Sequence, residues 1–439
     1  MLWSRRLRPG EVVALLLEPT FVYPIAYLAA AKIGCVTAGI NARLGPQEIN
    51  HIIKSSKTKI LVTDREDVDA PRAIGYDELV EGDADVPDVD VAEDDPVAIV
   101  YTSGTTGLPK GATFTFSNLE AVRRIEAAME PGLDHTSGLQ ATPMTHMGYM
   151  TKIASSIGRV SKTVLMERWT ARRALELISS ERITHIGGVP TQLALMMMDP
   201  TFGDFDLSCV RSILIGGAPA SPDLVREIRE TFGVPVQVRY SSTELALCTA
   251  TRPDDSDEAI AETVGRPLPE VELQVLGPNA DGVGEIVARS PAMMRGYWND
   301  EDATREAISG GFFHPGDLGR IDEEGNLRIA GRVKEMYIRG GYNVYPIEVE
   351  NVLREHPKVA LVGVIGIPDR VLGERGKAFV VPTEPDKPPT AHELRSFVAE
   401  RIADYKVPDV FEIRAELPLT SMFKVDKARL GDEDVSDRA

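Results

Sequence analysis

Cysteine is almost absent from this 439-residue chain. Cys35, Cys209 and Cys248 are odd in number and far apart. That excludes a disulfide framework and suits a reducing compartment, so a cytoplasmic location is expected. Long apolar runs are missing as well: no stretch approaches the roughly 18 uninterrupted apolar residues of a membrane span. The opening "MLWSRRLRPGEVVALLLEP" holds only a short apolar run, bracketed by Glu11 and Pro19. It lacks the h-region and small-residue cleavage site of a secretory signal. Basic tracts are also lacking. The net charge of −19 and a pI near 4.9 work against adhesion to nucleic acid or anionic membranes. Neither a nucleic-acid partner nor a transmembrane segment is expected. A small phosphorylated ligand stays open, because a local pocket of backbone N–H groups binds phosphate even on an acidic protein.

What is present is a globular balance, 43% hydrophobic and 26% charged, in a chain too long for one core. Short β-branched runs alternate with helical periodicity through the first three quarters. "KTKILVTD", "DPVAIVYTSG", "RSILIGGAP" and "VPVQVRYSS" read as buried strands ending in small or polar residues, and "PDLVREIRETF" and "ARRALELISSERI" as amphipathic helices. Strand–helix alternation argues an α/β fold with largely parallel sheets, whose ligands bind outside the carboxyl ends of the strands. The acidic stretch Glu81 to Pro96 reads as a solvated surface connection. From about Gly265 the texture becomes alternating and Gly-rich, as antiparallel strands and turns require. A compact αβ segment follows, with a helix at Pro346–Glu355, strands in "VALVGVIGIPD" and "GKAFVVPTE", and a helix at Thr390–Ala403. The last residues, "GDEDVSDRA", read as a disordered tail. A boundary near Gly331–Lys334 divides a large N-terminal domain, residues 1–333, from a small one, residues 334–439.

The strongest local signal is "IVYTSGTTGLPKGA", Ile99 to Ala112. A buried strand delivers Tyr101; Thr102, Ser103, Thr105 and Thr106 then alternate with Gly104 and Gly107 before Lys110. The glycines let backbone N–H groups approach an anion, the hydroxyls add donors, and the lysine adds charge. The spacing does not fit the Walker A pattern, which sets a P-loop phosphotransferase aside.

This loop resembles the phosphate-binding signature of the adenylate-forming superfamily, which includes acyl- and aryl-CoA synthetases, luciferases and peptide-synthetase adenylation domains. The similarity runs through nearly the whole chain in order. It implies a large N-terminal domain of βα-layered sheets plus a distorted β-barrel, and a small mobile α+β C-terminal domain. It also implies activation of a carboxylic acid with ATP as an acyl adenylate, release of pyrophosphate, and transfer of the acyl group to a thiol. The chain begins several tens of residues late relative to that family, a region that bears on stability or a homodimer surface but carries no phosphate-site motif.

Carried over residue by residue, the resemblance implies the following. Gly217, Ala218 and Pro219 in "ILIGGAPAS" border the adenine. In "VRYSSTELAL", Tyr240 stacks on the ring, Thr243 touches a phosphate, and Glu244, with Thr102, offers Mg²⁺ the oxygen ligands a hard cation wants. Ser241 stands where the family usually has Gly, and "STE" alone reads more often as a helix cap, a judgement its place in the series of motifs reverses. Asp317 in "GFFHPGDLGRID" accepts the ribose hydroxyls, while His314 beside it is read as an ordinary loop residue. Arg332 contacts ribose and phosphate, Lys334 is the hinge, and Gly340, Gly341 and Tyr342 lie beside the pantetheine tunnel of the coenzyme A step. The terminal "PLTSMFKVDK" resembles the catalytic motif Pro-x-x-x-x-Gly-Lys-x-x-Lys, aligning Lys424 as the adenylation lysine. Phe423 occupies the position of its Gly, where a positive φ would strain a side chain.

The acid is less legible. His146 in "TPMTHMGYM" either orients the carboxylate or is a packed residue; the segment lacks the Asp that holds an amino-acid substrate. Gly187 and Gly188 leave room for an acyl chain, with Gly188 taken as the acyl-binding one. The methionines that follow form either core or an adaptable apolar wall. The preferred reading is a fatty-acyl ligase of medium or long chain length using ATP, Mg²⁺ and CoA. Its alternatives are an aryl or steroid side-chain acid–CoA ligase, an enzyme loading a carrier protein, and a catalytically silent nucleotide-binding protein.

Overall fold

The structure is a computed structural model, and it describes residues 7–70, 72–75, 78, 89–102, 108–129, 136–140, 142–420 and 424–436. Two seven-stranded sheets organise the large N-terminal part. In the first, the strands run in the order Gly296–Tyr297, Gly111–Thr115, Pro96–Tyr101, Val36–Gly39, Val12–Leu16, Thr58–Thr63 and Ala73–Ile74. The last five are parallel and the first two antiparallel. In the second the order is Arg266–Pro267, Thr249–Ala250, Val236–Tyr240, Ser212–Gly216, His185–Gly188, Ser137–Gln140 and Lys162–Leu165, again parallel through its centre.

Both sheets follow from the strand–helix alternation. The strand Val12–Leu16 is buried at every position, as a sheet covered on both faces demands. The helix Pro222–Phe232 shows how the chain punctuates itself. Ser221 caps it by accepting from the Leu224 N–H, Pro222 sits in the first turn, and Gly233 ends it at φ +63°. Its buried residues Val225 and Ile228 join Ile213, Ile215, Val236 and Val238 of the second sheet in one core.

From Glu272 onward the antiparallel texture appears as a six-stranded sheet. Ile308–Ser309, Phe312–Phe313, Gly284–Arg289, Asp317–Ile321 and Leu327–Arg332 form the path, with Glu272–Leu276 on Gly284–Arg289. The distorted barrel takes this form, and its path does not close among the described residues. The final sheet begins at Tyr337, five residues after Arg332, and carries Val359–Asp369 and Gly373–Pro382 as a long hairpin. Val349 and Leu353 of the helix Pro346–Arg354, and Leu394 and Val398 of the helix Ala391–Ala399, cover it.

Two expectations change at the C-terminal end. The helix expected over Thr390–Ala403 stops at Ala399, with Thr390 as its cap outside the helix. The stretch read as a disordered tail contributes to the helix Lys427–Ser436. Leu430 is fully buried, and the Asp434 carboxylate accepts from buried Lys377 at 2.6 Å. Its acidity disguised a segment that pays for burial through ion pairing. Of the acidic connection Glu81 to Pro96, residues 81–88 lie outside the described residues, and 89–95 form no helix or strand.

Candidate active site

The carboxyl ends of the central strands in the second sheet bring the polar segments together. Asp317 is the hub. One carboxylate oxygen accepts the Tyr240 O–H at 2.7 Å, the other accepts the Arg332 Nε–H at 2.7 Å, and Asp317 is 7% exposed. Tyr240 ends the strand Val236–Tyr240, Asp317 opens the strand Asp317–Ile321, and Arg332 ends the strand paired with it. Three distant motifs therefore share one pair of oxygens. Gly316 adopts φ +74° immediately before the carboxylate, a conformation a side chain would strain. Burial, then the Asp317 charge, raises the Tyr240 pKa well above its ordinary value, so its O–H remains a donor.

A second group joins the lysine of the phosphate loop to the carboxylate of "STE". Glu244 accepts the Tyr297 O–H at 2.8 Å, and the Lys110 ammonium lies 5.3 Å from the Tyr297 ring centroid. Tyr297 is held there because the two-residue strand Gly296–Tyr297 pairs with Gly111–Thr115, directly after Lys110. The Met294 N–H donating to the Glu244 carbonyl ties the other side. Tyr297 was absent from the sequence reading; "RGYW" carries no charge pattern or spacing that marks it, and only the sheet pairing reveals it. "STE" forms a turn in which Ser242 Oγ accepts from the Leu245 N–H, so the helix-cap reading does not hold. Thr243 lies in this turn, half-buried, and the Ser241 hydroxyl donates to the Ser242 carbonyl.

The strands Pro96–Tyr101 and Gly111–Thr115 pair antiparallel, and the Thr102 N–H donates to the Lys110 carbonyl at 2.9 Å. His51 Nε2 stands 3.1 Å from the Pro109 carbonyl. Ser103, Gly104, Thr105, Thr106 and Gly107 lie outside the described residues, as does Phe423. Gly217, at φ +78°, Ala218 and Pro219 form the bend that follows the strand Ser212–Gly216. His314 pairs with Glu285, Nδ1 to Oε1 at 3.2 Å, in keeping with its reading as a loop residue.

The C-terminal domain delivers Lys424 to this region. The Thr420 N–H donates to the Lys424 carbonyl, and a bridge joins Leu419 to Val425, so the backbone before residue 421 pairs with that after residue 423. Lys424 is exposed, and burial, then the nearby Arg332 charge, lower its pKa, against Asp317 and Glu335. Among the described residues it makes no ion pair. Lys427, three residues on, differs in every respect. Its ammonium is clamped at 2.7 Å from Glu335 and 2.8 Å from Glu350. Burial alone would lower its pKa; Glu350 and Glu335 outweigh this and raise it. Lys334 is exposed in the turn at 333–335 between the two sheets. Gly340 and Gly341, at φ +58° and +90°, make the two-residue turn of the hairpin Tyr337–Arg339/Tyr342–Val344. Tyr342 is 58% exposed at its tip and stacks on Tyr405, 4.6 Å between ring centroids.

His146 caps the short helix Met147–Met150 by accepting from the Gly148 N–H at Nδ1. Burial, then the charges of Lys424 and Lys152, lower its pKa to about 4. The imidazole is therefore neutral at pH 7 and close enough to both lysines to feel them. Gly188 points elsewhere. A Cβ there would lie 3.0 Å from Gln192 Oε1 and 3.2 Å from Leu193 Cδ2, on the face packed by the helix Pro190–Met197. Strand alternation puts Gly187 on the opposite face, where a Cβ would meet nothing within 4 Å. The methionine-rich helix buries Leu193 and Met196 in the core and leaves Leu195 and Met198 exposed, so its pattern is that of plain core.

Glu244 also meets the demands of a divalent cation. It is a single half-buried carboxylate with one oxygen engaged by Tyr297, and it has no cationic partner among the described residues. That donor set suits Mg²⁺, which takes one or two protein oxygens and completes its shell with water and substrate phosphates.

Residues 1–298 match the model of the AMP-binding enzyme family, and residues 348–424 that of the AMP-binding enzyme C-terminal domain. The feruloyl-CoA synthase of an Amycolatopsis species is 32% identical, over 96% of this chain and 89% of the relative. The long-chain-fatty-acid–CoA ligase of Mycobacterium tuberculosis is 32% identical, over 97% and 88%. The o-succinylbenzoate CoA synthetase of Bacillus subtilis, solved with its acyl-adenylate intermediate, superposes with a TM-score of 0.87 at 30% identity, covering 98% of this chain and 90% of that one. The same enzyme solved with ATP and a magnesium ion gives 0.86 at 30% identity, covering 98% and 91%.

Proposed function

The chain belongs to the AMP-binding enzyme family and is an acid–thiol ligase, and from that premise we propose that it activates an organic carboxylic acid with ATP and passes the acyl group to coenzyme A. The observation that carries this is the convergence of Tyr240 and Arg332 on the Asp317 carboxylate, close enough to Lys424 for the Arg332 and Asp317 charges to act on it, as the Lys424 charge in turn acts on His146.

In the first half-reaction a carboxylate oxygen attacks the α-phosphorus of ATP and the bond to the β-phosphate oxygen breaks, releasing pyrophosphate. Charge crowds onto the phosphoryl oxygens, so the site must supply fixed positive charge more than a base. Lys110 and Lys424 supply it. Asp317 accepts the ribose hydroxyls, Tyr240 flanks the adenine, and neutral His146 orients the acid without pairing with it as a cation. Glu244 and Thr102 would hold Mg²⁺, which when bound neutralises phosphate charge. In the second half-reaction the thiol sulfur attacks the acyl carbon and AMP leaves. The residues 334–439 turn about Lys334 between the steps, withdrawing Lys424 and bringing the Gly340–Gly341–Tyr342 hairpin to the site.

The named acids of the relatives range over feruloyl, long-chain fatty and succinylbenzoate groups. The methionine helix, whose buried positions belong to the core, lends a medium- or long-chain fatty acid no support of its own. The reading taken forward is therefore a carboxylic acid of unspecified chain. The test is pyrophosphate release across an acid panel, with and without CoA. Acid-dependent pyrophosphate together with acyl-CoA supports it; acyl-adenylate without acyl-CoA points to another thiol acceptor, and silence with every acid refutes it.

A further inference from the structure

Lys152, whose charge acts on the His146 ring, belongs to an ion network that none of the phosphate or ribose chemistry uses. Glu126, on the helix Phe116–Met129, is 8% exposed. Its carboxylate accepts from the Lys152 ammonium at 2.6 Å and lies 3.7 Å from Arg239 Nη1. Arg239 Nε also donates to Gln237 Oε1 at 2.8 Å, and Gln237 in turn donates to the Thr251 carbonyl at 3.0 Å. Burial opposes ionisation of Glu126, but Lys152 and then Arg239 more than offset it and hold its carboxyl below the usual range.

Three placements aim this network at the acyl side. Arg239 immediately precedes Tyr240, so alternation turns it to the opposite face of the strand from the Asp317 contact. On that face the parallel register sets Arg239 beside Gly216 and Gln237 beside Leu214, with Gly187 on the far side of Leu214. Gly187 is the glycine whose missing side chain leaves open space. Lys152 comes six residues after His146, across the single-turn helix Met147–Met150, and its charge is felt at the His146 ring. Lys152 is also the most open member: its side chain is 25% exposed, against 11% for Glu126 and 10% for Arg239.

A long aliphatic chain laid along this face would desolvate charges without pairing them, which is costly. An acid that ends in an anion would meet Lys152, already oriented by Glu126, at the end remote from the reacting carboxylate. We propose that Lys152, positioned by the Glu126–Arg239 network, is the specificity-determining residue of the acyl site and selects an acid carrying a second carboxylate. This rests on the ligase reading above and names its substrate class.

The test is a panel of aliphatic dicarboxylic acids of increasing length, each set against its own monomethyl ester, with pyrophosphate release read as kcat/KM. The proposal expects the best diacid to exceed its monoester by about tenfold or more, the scale of one charge-assisted hydrogen bond. In Lys152→Met that ratio collapses toward one because the diacid falls, and in Lys152→Arg it survives. Turnover of monoesters or fatty acids in preference to every diacid overturns the proposal while leaving the ligase reading intact. So does a Lys152→Met enzyme in which diacid and monoester fall equally, the signature of a purely structural ion pair. Pyrophosphate release from no acid of any kind refutes the ligase reading and this one with it.

Discussion

Two lysines three residues apart make the sharpest test of the reasoning. Lys424 has no ionic partner among the described residues, and its ammonium faces Arg332 and Asp317. Lys427 is 19% exposed and bonded to two carboxylates, one of which, Glu350, is only 3% exposed. Lys424→Ala removes a charge that matters when negative charge develops on the α-phosphate. Loss of one such preorganised group costs on the order of 10²–10³ in rate, about 2.7–4 kcal/mol. Adenylation should fall by at least that factor, while thioester formation from supplied acyl adenylate and CoA stays within about tenfold, because that step does not build the same charge. The fold should be untouched. Lys427→Ala instead strands Glu350 and Glu335 in a partly dry pocket, and breaking a buried pair costs about 3–5 kcal/mol. That variant should unfold its C-terminal domain at lower urea and lose both half-reactions together as the folded fraction drops. Pyrophosphate exchange, single-turnover thioesterification and urea denaturation on both variants separate the roles. Undiminished adenylation in Lys424→Ala would refute the assignment, as would a Lys427→Ala protein that is fully stable yet blocked only in adenylation.

Three further outcomes follow from the geometry. Tyr297→Phe removes the O–H that orients Glu244 at 2.8 Å; a hydrogen bond to a charged group is worth about 1.5–3 kcal/mol, so pyrophosphate release should fall roughly tenfold or more, with a raised Mg²⁺ requirement as the distinguishing readout. His146 should titrate near pH 4 by NMR and move upward in Lys424→Ala, since Lys424 contributes to its depression. Because its folded pKa lies below the unfolded one, the unfolded chain binds more protons between those values. The stability contribution is therefore full above about pH 6.5 and lost as pH falls toward 4, at most about 3 kcal/mol, and His146→Asn should flatten that part of the urea-unfolding profile. Gly188→Ala must displace Gln192 and Leu193 and should lower the urea midpoint, whereas Gly187→Ala enters open space, keeps the fold and shifts the acid preference toward shorter acids in the pyrophosphate assay.

How far the sequence carries is itself a matter of which physics leaves a local trace. The helices Ala171–Ser180 and Pro222–Phe232 were legible because periodicity and an N-terminal cap coincide within a dozen residues, joined in the second by a terminal glycine. Asp317, Tyr240 and Arg332 were legible only as separate motifs; their convergence on one carboxylate belongs to the tertiary fold. Tyr297 was invisible because its meaning comes from a two-residue strand pairing across 183 positions, Gly296 with Thr113. The terminal helix was misread because a run of acids looks solvated until its partner, Lys377 on another strand, is known. Gly188 was preferred over Gly187 because a pair of glycines has no face until the strand that carries them has a register.

The charges around Lys424 also give a physical reason for ordering the two half-reactions under the proposed function. In the closed arrangement its ammonium is desolvated and stands by the like charge of Arg332, with Asp317, already engaged by Tyr240 and Arg332, offering incomplete compensation. A cation so placed is unfavourable until an anion arrives. ATP and the substrate carboxylate bring that anionic charge, so their binding favours the closed state by as much as they prefer it. Release of pyrophosphate removes most of the charge in one event, and the same repulsion then favours withdrawal of the lysine. The clamp of Lys427 on Glu335 is drawn from the turn segment itself, next to Lys334. It ties the segment after Lys424 to the turn at 333–335, so under the proposed function the two would move together. The lid would then be switched by the charge of its own product, a task that a lysine with a carboxylate partner of its own could not perform.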